Sequence, residues 1–153
     1  MPLRERFTED LKTAMKAGDK ARLSTIRLIQ AALKDRDIEA RGQGKDPISD
    51  DEILALLQKM VKQRQESVAI YEQNDRPELA AQEKGEIEVI SSFLPQQLGE
   101  AEIDAAIAAA IADTGAASVK DMGKVIAKLR ADYAGQMDFG KVSPRVKDKL
   151  SAG

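Results

Sequence analysis

Ser49-Asp50-Asp51-Glu52-Ile53-Leu54-Ala55-Leu56-Leu57-Gln58-Lys59-Met60-Val61 opens on a helix start and runs directly into helical periodicity. A serine hydroxyl three residues before a glutamate lets each group satisfy a backbone amide at the other's position, the reciprocal arrangement of a capping box. Behind it Ile53, Leu57, Met60, Val61, Val68 and Tyr71 return at helical spacing to about Asn74, a length of roughly 35 Å at 1.5 Å per residue. A helix with one apolar stripe needs other helices to cover it, and its neighbours in sequence have the same character.

Upstream, a first helix spans Pro2 to Lys16. Gly18 closes it and Asp19 caps the next, because glycine takes a left-handed C-terminal position and aspartate accepts an N-terminal amide bond. In the second helix Leu23, Ile26, Ile29 and Leu33 form the stripe, with Arg22, Arg27, Lys34 and Arg36 largely off it, until Gly42-Gln43-Gly44-Lys45-Asp46-Pro47 breaks the pattern as a loop. Downstream, Asp75-Arg76-Pro77-Glu78 reads as a second capped start, leading through Leu79, Ile87, Ile90 and Leu94 to Pro95. Four such helices make a bundle.

Pro95 to Gly99 is the natural boundary, since proline disfavours helix at the residue before it. Beyond it Ile103, Ile107 and Ile111 form one helical face, Ser118 to Tyr133 a second helix, and Ser143-Pro144 starts a third with Val146 and Leu150 inward. The expected architecture is all-α: an N-terminal helical bundle over residues 1–94 and a small three-helix C-terminal domain over residues 95–153.

Charge is distributed unevenly along this frame. The net charge is only −2, but residues 95–113 carry acidic side chains and no basic ones, whereas residues 114–153 carry eight Lys or Arg against four Asp. In the helix after Ser118 the apolar residues Val119, Met122, Ile126, Leu129 and Tyr133 define one face and Lys120, Lys124 and Lys128 fall on the other, flanked by Gly123, Ala127 and Ala131. A flexible cationic row beside a low surface suits a phosphate backbone, although such rows are as often merely solvated. Lys141, in the turn Asp138-Phe139-Gly140-Lys141 before the last helix, is a further contact, and that helix's N-terminus offers amides to an anion. In the same turn Asp138 and Gly140 are read as shaping the chain and Phe139 as plugging the small core. Gly123 costs the helix about 1 kcal/mol relative to Ala, and close helix packing is the preferred explanation. In the bundle, Arg64 lies close to the apolar stripe between Val61 and Val68. A structural ion pair with Glu83 or Glu86 is preferred for it, with RNA contact second.

Composition removes many chemistries. Cysteine, histidine and tryptophan are absent, which eliminates thiolate nucleophiles, disulfides, the commonest transition-metal ligand and the side chain best matched to proton transfer near neutral pH. Ser91-Ser92 lies inside a helical pattern without a lysine to activate it. The acidic groups at Asp50-Asp51-Glu52 and at Glu83, Glu86 and Glu88 are read as helix-start charge and a solvated face, so no metal and no cofactor is expected. The start of the chain lacks a secretory apolar stretch, and cytoplasmic location is the default expectation.

Phe93-Leu94-Pro95-Gln96-Gln97-Leu98, Val119-Lys120-Asp121-Met122-Gly123-Lys124-Val125 and Asp138-Phe139-Gly140-Lys141-Val142-Ser143-Pro144 resemble the tail of the GatB/YqeY family. That tail is shared by one subunit of the tRNA-dependent amidotransferases and by small free-standing proteins. Lys59-Met60-Val61-Lys62-Gln63-Arg64-Gln65-Glu66-Ser67 with Tyr71 extends the likeness to the free-standing members. The resemblance implies an all-helical fold, a role near tRNA, and a label of glutamine-dependent carbon–nitrogen ligase. No glutaminase or nucleotide-activating site is recognisable, so independent ligase activity is rejected. Two expectations remain: a tRNA-binding accessory that reads shape and phosphate charge, since the chain has only two Tyr and three Phe for base stacking, or an adaptor that docks a protein partner in tRNA aminoacylation or amidation.

Overall fold

A computed structural model describes residues 1–152, and among them the regular structure is entirely helical. The order is α1 (Leu3–Ala17), α2 (Lys20–Gly42), α3 (Asp50–Gln73), α4 (Pro77–Ser91), α5 (Glu100–Thr114), α6 (Met122–Tyr133) and α7 (Phe139–Ala152), with a 3-10 turn at Val119–Asp121 before α6. The chain divides into two compact units between Leu94 and Pro95.

Local chemistry accounts for most of the boundaries in the first unit. Gly18 sits at φ 70° and its amide reaches the carbonyls of Ala14 and Met15, while the Asp19 carboxylate accepts from the Arg22 amide. Ser49 and Glu52 form the reciprocal capping box at the start of α3. The start of α4 differs from the sequence expectation: Arg76 occupies the cap position without a side-chain bond and Pro77 is the first helical residue. Asp75 instead adopts φ 55°, the left-handed conformation that aspartate tolerates better than most residues. It turns the chain; it does not cap it.

The bundle core gathers Leu3, Phe7, Ile26, Ile29, Leu33, Ile53, Leu56, Leu57, Met60, Ile90 and Phe93. Phe7 and Phe93 meet edge to face with centroids 4.9 Å apart, the orientation favoured by the ring quadrupoles. The stripe on α3 is fully buried only as far as Met60. Val68 and Tyr71 are half-buried and Ile70 is 56% exposed, because the distal half of α3 packs mainly on α4. There Arg64 Nε donates to Glu86 Oε2 at 3.1 Å and Nη1 to the Met60 carbonyl at 3.1 Å. The pair is sheltered, each side chain being 16% exposed. Burial pushes the neighbouring Glu83 carboxyl above its ordinary value, and Glu86 adds to the shift.

Asp37 on α2 joins three segments. It accepts from Arg4 Nη1 at 2.7 Å and Nη2 at 2.9 Å, and from the Ile48 amide at 3.1 Å. Arg4 Nη2 also donates to the Ile48 carbonyl at 2.9 Å. The hydrogen bonds from Arg4 hold the Asp37 carboxyl below its usual range. A depressed carboxyl contributes stability above its unfolded value of about 4, and that contribution is lost as pH falls through the folded value. Glu83 has the opposite sign: its ionised form costs stability, and the cost disappears as pH falls through its raised value. Asp37→Asn is therefore expected to lower stability at pH 7 by about 1–2 kcal/mol and to blunt the loss on acidification. Urea unfolding of both proteins at neutral and acid pH should show the gap between them closing as pH falls.

Candidate nucleic-acid interface

The second unit has its own core of Ala106, Ile107, Ala110, Val125, Leu129, Met137, Val142, Val146 and Leu150. The Glu102 carboxylate accepts from the Gly99 amide at 3.2 Å to start α5, and Gly115 at φ 67° ends it. Arg145 on α7 pairs with Asp104 on α5, and Lys149 lies 3.9 Å from the same carboxylate. The Arg130 guanidinium lies 5.0 Å from the Phe139 ring centroid. Phe139 itself is half-buried against the core.

The helix expected from Ser118 onward begins later. The Ala117 amide donates to Asp121 Oδ2 at 3.0 Å and the Asp121 amide to the Ser118 carbonyl at 2.9 Å, tightening Val119–Asp121 into a 3-10 turn; α6 starts at Met122. Lys120 therefore stands on the turn, while Lys124 and Lys128 stand on successive turns of α6. Met122, Ile126, Leu129 and Tyr133 pack on the core as expected, but Val119 is 39% exposed and Val125 fully buried, so the apolar face loses its first residue and widens to take in Val125. The signal for Val125 was its four-residue step to Leu129, masked by starting the stripe at Val119. Lys124 and Lys128 each precede a buried residue by one position, about 100° round the helix from the Val125–Leu129 line.

Their electrostatic surroundings differ. Lys124 Nζ lies 4.0 Å from Asp121, and Lys128 Nζ 3.1 Å from Asp132. The Ala117 amide, followed by the charge of Lys124, holds Asp121 low, and the hydrogen bond to Asp132 pushes Lys128 up. No ion pair among the described residues involves Lys120 or Lys141, and both are exposed. A phosphate approaching Lys124 or Lys128 competes with a carboxylate already paired to the lysine; at Lys120 it meets no paired acid.

The α7 start also departs from the expectation. Helix begins at Phe139, with Pro144 inside it, because Asp138 Oδ1 accepts from the Gly140 amide at 2.9 Å and the Asp138 carbonyl accepts from Lys141 and Val142. Lys141 is thus in the first turn of α7. The amide end proposed for an anion is served by a carboxylate, whose charge opposes phosphate there.

Gly123 does not pack closely. It is exposed, and a Cβ added there would meet nothing within 4 Å; Ala127 and Ala131 are exposed as well. Since the position is helical and open, Gly123→Ala is expected to raise the stability of the protein by about 0.5–1 kcal/mol, measured by chemical unfolding.

In the bundle, the Ser92 hydroxyl donates to the Val89 carbonyl at 2.6 Å and accepts from Arg22 at 3.3 Å. The described residues hold no group of three or more acidic side chains placed to hold a metal ion.

These features define an all-α protein of two units whose second unit exposes cations on a short turn and two successive helices. The chain belongs to the YqeY-like protein family, whose pattern matches residues 4–150. It is similar to proteins named altered inheritance of mitochondria protein 41, mitochondrial. The relative from Lachancea thermotolerans is 37% identical over 101 residues, 65% of this chain and 52% of that protein. That from Saccharomyces cerevisiae is 32% identical over 95 residues, 62% of this chain and 50% of that protein. A relative from Pyrenophora tritici-repentis is 27% identical over 150 residues, 96% of this chain and 80% of its own length. The chain thus spans about half the length of the first two relatives. Their names are mitochondrial, which overturns the expectation of a cytoplasmic location: the first residues of this chain were an insufficient basis for assigning a compartment.

Proposed function

We propose that this protein is a tRNA-binding accessory factor that engages the phosphate backbone through the cations of its second unit, with no ligase activity of its own. The observation that carries the reading is the exposure of Lys120 and Lys141, free of ion pairs among the described residues, beside Lys124 and Lys128, whose acidic neighbours hold them at the surface. Lys120 is the stronger contact, because it enters no ion pair and, unlike Lys141, does not share a helix start with the Asp138 carboxylate. The resemblance of the tail to that of an amidotransferase subunit supplies tRNA as the nucleic acid. With Cys and His absent and the Ser92 hydroxyl engaged at a helix end, the residues offer binding chemistry in place of acyl or amide transfer.

A second reading, a protein adaptor, draws on the exposed low-relief flank of Gly123, Ala127 and Ala131. The two separate by mutation: Lys120→Glu, Lys124→Glu and Lys128→Glu together should abolish tRNA binding on the first reading, whereas Ala127→Leu should matter more on the second.

Neutralising about three to five phosphates should make log affinity for tRNA fall with log salt at a slope of roughly −2 to −4. Titration of labelled bulk tRNA at several salt concentrations tests this, and a flat response would sink the electrostatic reading. Incubation with ATP, glutamine and Glu-tRNA is expected to yield no transamidation.

A further inference from the structure

Lys20, Arg27, Lys34 and Arg41 recur at seven-residue steps along α2. Seven residues turn an α-helix almost two full times, so side chains at this spacing fall on one face with a drift of only about 20° per step. The positions between them on the same face, Ser24, Ala31 and Ile38, complete an alternating four- and three-residue seam. All seven residues are exposed. The four cations enter no ion pair among the described residues, whereas Arg22, on the line of the buried Ile26, Ile29 and Leu33 on the far side of the helix, is tied to Asp10 at 3.0 Å. At the N-terminal end of the seam Lys20, Leu23, Ser24, Arg27 and Leu28 line an open hollow of about 440 Å³. The helix carries six basic residues and three acidic ones in a chain of net charge −2; Asp37 is paired with Arg4, although the charge of Arg41 also acts on it.

We propose that this seam is a docking surface for the phosphodiester backbone of a structured RNA, a second contact region on the bundle that rests on the RNA-binding reading above. Spacing selects the class of ligand. Successive cations are roughly 10.5 Å apart along the axis, so a single phosphate or nucleotide cannot bridge two of them, and only an extended polyanion spanning roughly 30 Å meets all four. Relief selects the same class: Ser24 and Ala31 leave the ground between the cations low enough for a backbone to lie against the helix. A lipid surface is the poorer match, because Leu28 and Ile38 are the only large exposed apolar side chains of α2, and two residues ten apart make no insertion face.

The test uses the full chain with two double variants of equal charge change, Arg27→Glu with Lys34→Glu in the seam and Lys12→Glu with Lys59→Glu elsewhere on the bundle. Thermal unfolding first establishes that both are folded. Against bulk tRNA at low salt, the seam variant is expected to lose at least tenfold in affinity and to lower the salt slope by about two, while the control stays within about threefold. Equal behaviour of the two variants, with wild type still binding, overturns the seam and leaves the tail reading standing. Failure of the wild type to bind tRNA overturns both. A parallel arm with phosphatidylserine vesicles completes the design: vesicle binding lost in the seam variant while its tRNA affinity is retained would assign the surface to lipid and reject the proposal.

Discussion

One carboxylate, Asp37, holds the start of the first helix, the end of the second and the approach to the third. Arg4 and the Ile48 amide converge on it, and the Leu3 amide makes a longer bond of 3.3 Å to Asp50 nearby. The loop between α2 and α3, with Gly44 at φ 72°, would otherwise enter the capping box at Ser49 from many directions. With Ile48 fixed through both its amide and its carbonyl, α3 is launched at a set angle, and Ile53, Leu56, Leu57 and Met60 arrive where Ile26, Ile29 and Leu33 already lie. The pair is partly exposed, so its value lies less in raw attraction than in selecting one geometry for three segments. Apolar burial alone is non-directional and supplies no such selection.

The legible parts of the fold were those governed by local chemistry. The Gly18–Asp19 junction, the Ser49–Glu52 box and the stripe of α2 follow from groups within four residues of one another, and each was readable without tertiary information. Two departures occur where an aspartate carboxylate bonds to a backbone amide at a place that periodicity does not mark, and a third where an aspartate adopts a left-handed conformation. Asp121 takes the Ala117 amide and delays α6; Asp138 takes the Gly140 amide and advances α7 by four residues; Asp75 turns left-handed where a cap was read. All three are aspartates: at Asp121 and Asp138 the short carboxylate competes for neighbouring amides, and at Asp75 the backbone takes φ 55°. A hydrophobic pattern cannot say which amide each will choose.

The candidate site was legible in composition but not in arrangement. Concentration of positive charge after Thr114 is a count; Lys120, Lys124 and Lys141 lie exposed at the surface and Lys128 is half-buried. Their grading is tertiary and local at once: Asp121 and Asp132 shadow Lys124 and Lys128, whereas Lys120 is displaced onto a turn. Gly123 was read through a common correlation between helical glycine and close packing, and the open space around it shows no neighbour to pack against. The cationic seam of α2 was present in the sequence as a seven-residue recurrence. Apolar periodicity does not mark it, because charges off an apolar stripe are ordinarily solvated.

That recurrence also gives the seam a hand. Because two turns of an α-helix take slightly more than seven residues, the line through Lys20, Arg27, Lys34 and Arg41 winds as a shallow left-handed screw, drifting about 60° over its length. On a cylinder 10–12 Å across the pitch corresponds to a slant on the order of 10° from the helix axis. A straight, stiff ligand therefore contacts the row best when laid obliquely, and laying it with the opposite slant lifts one end away from the charges.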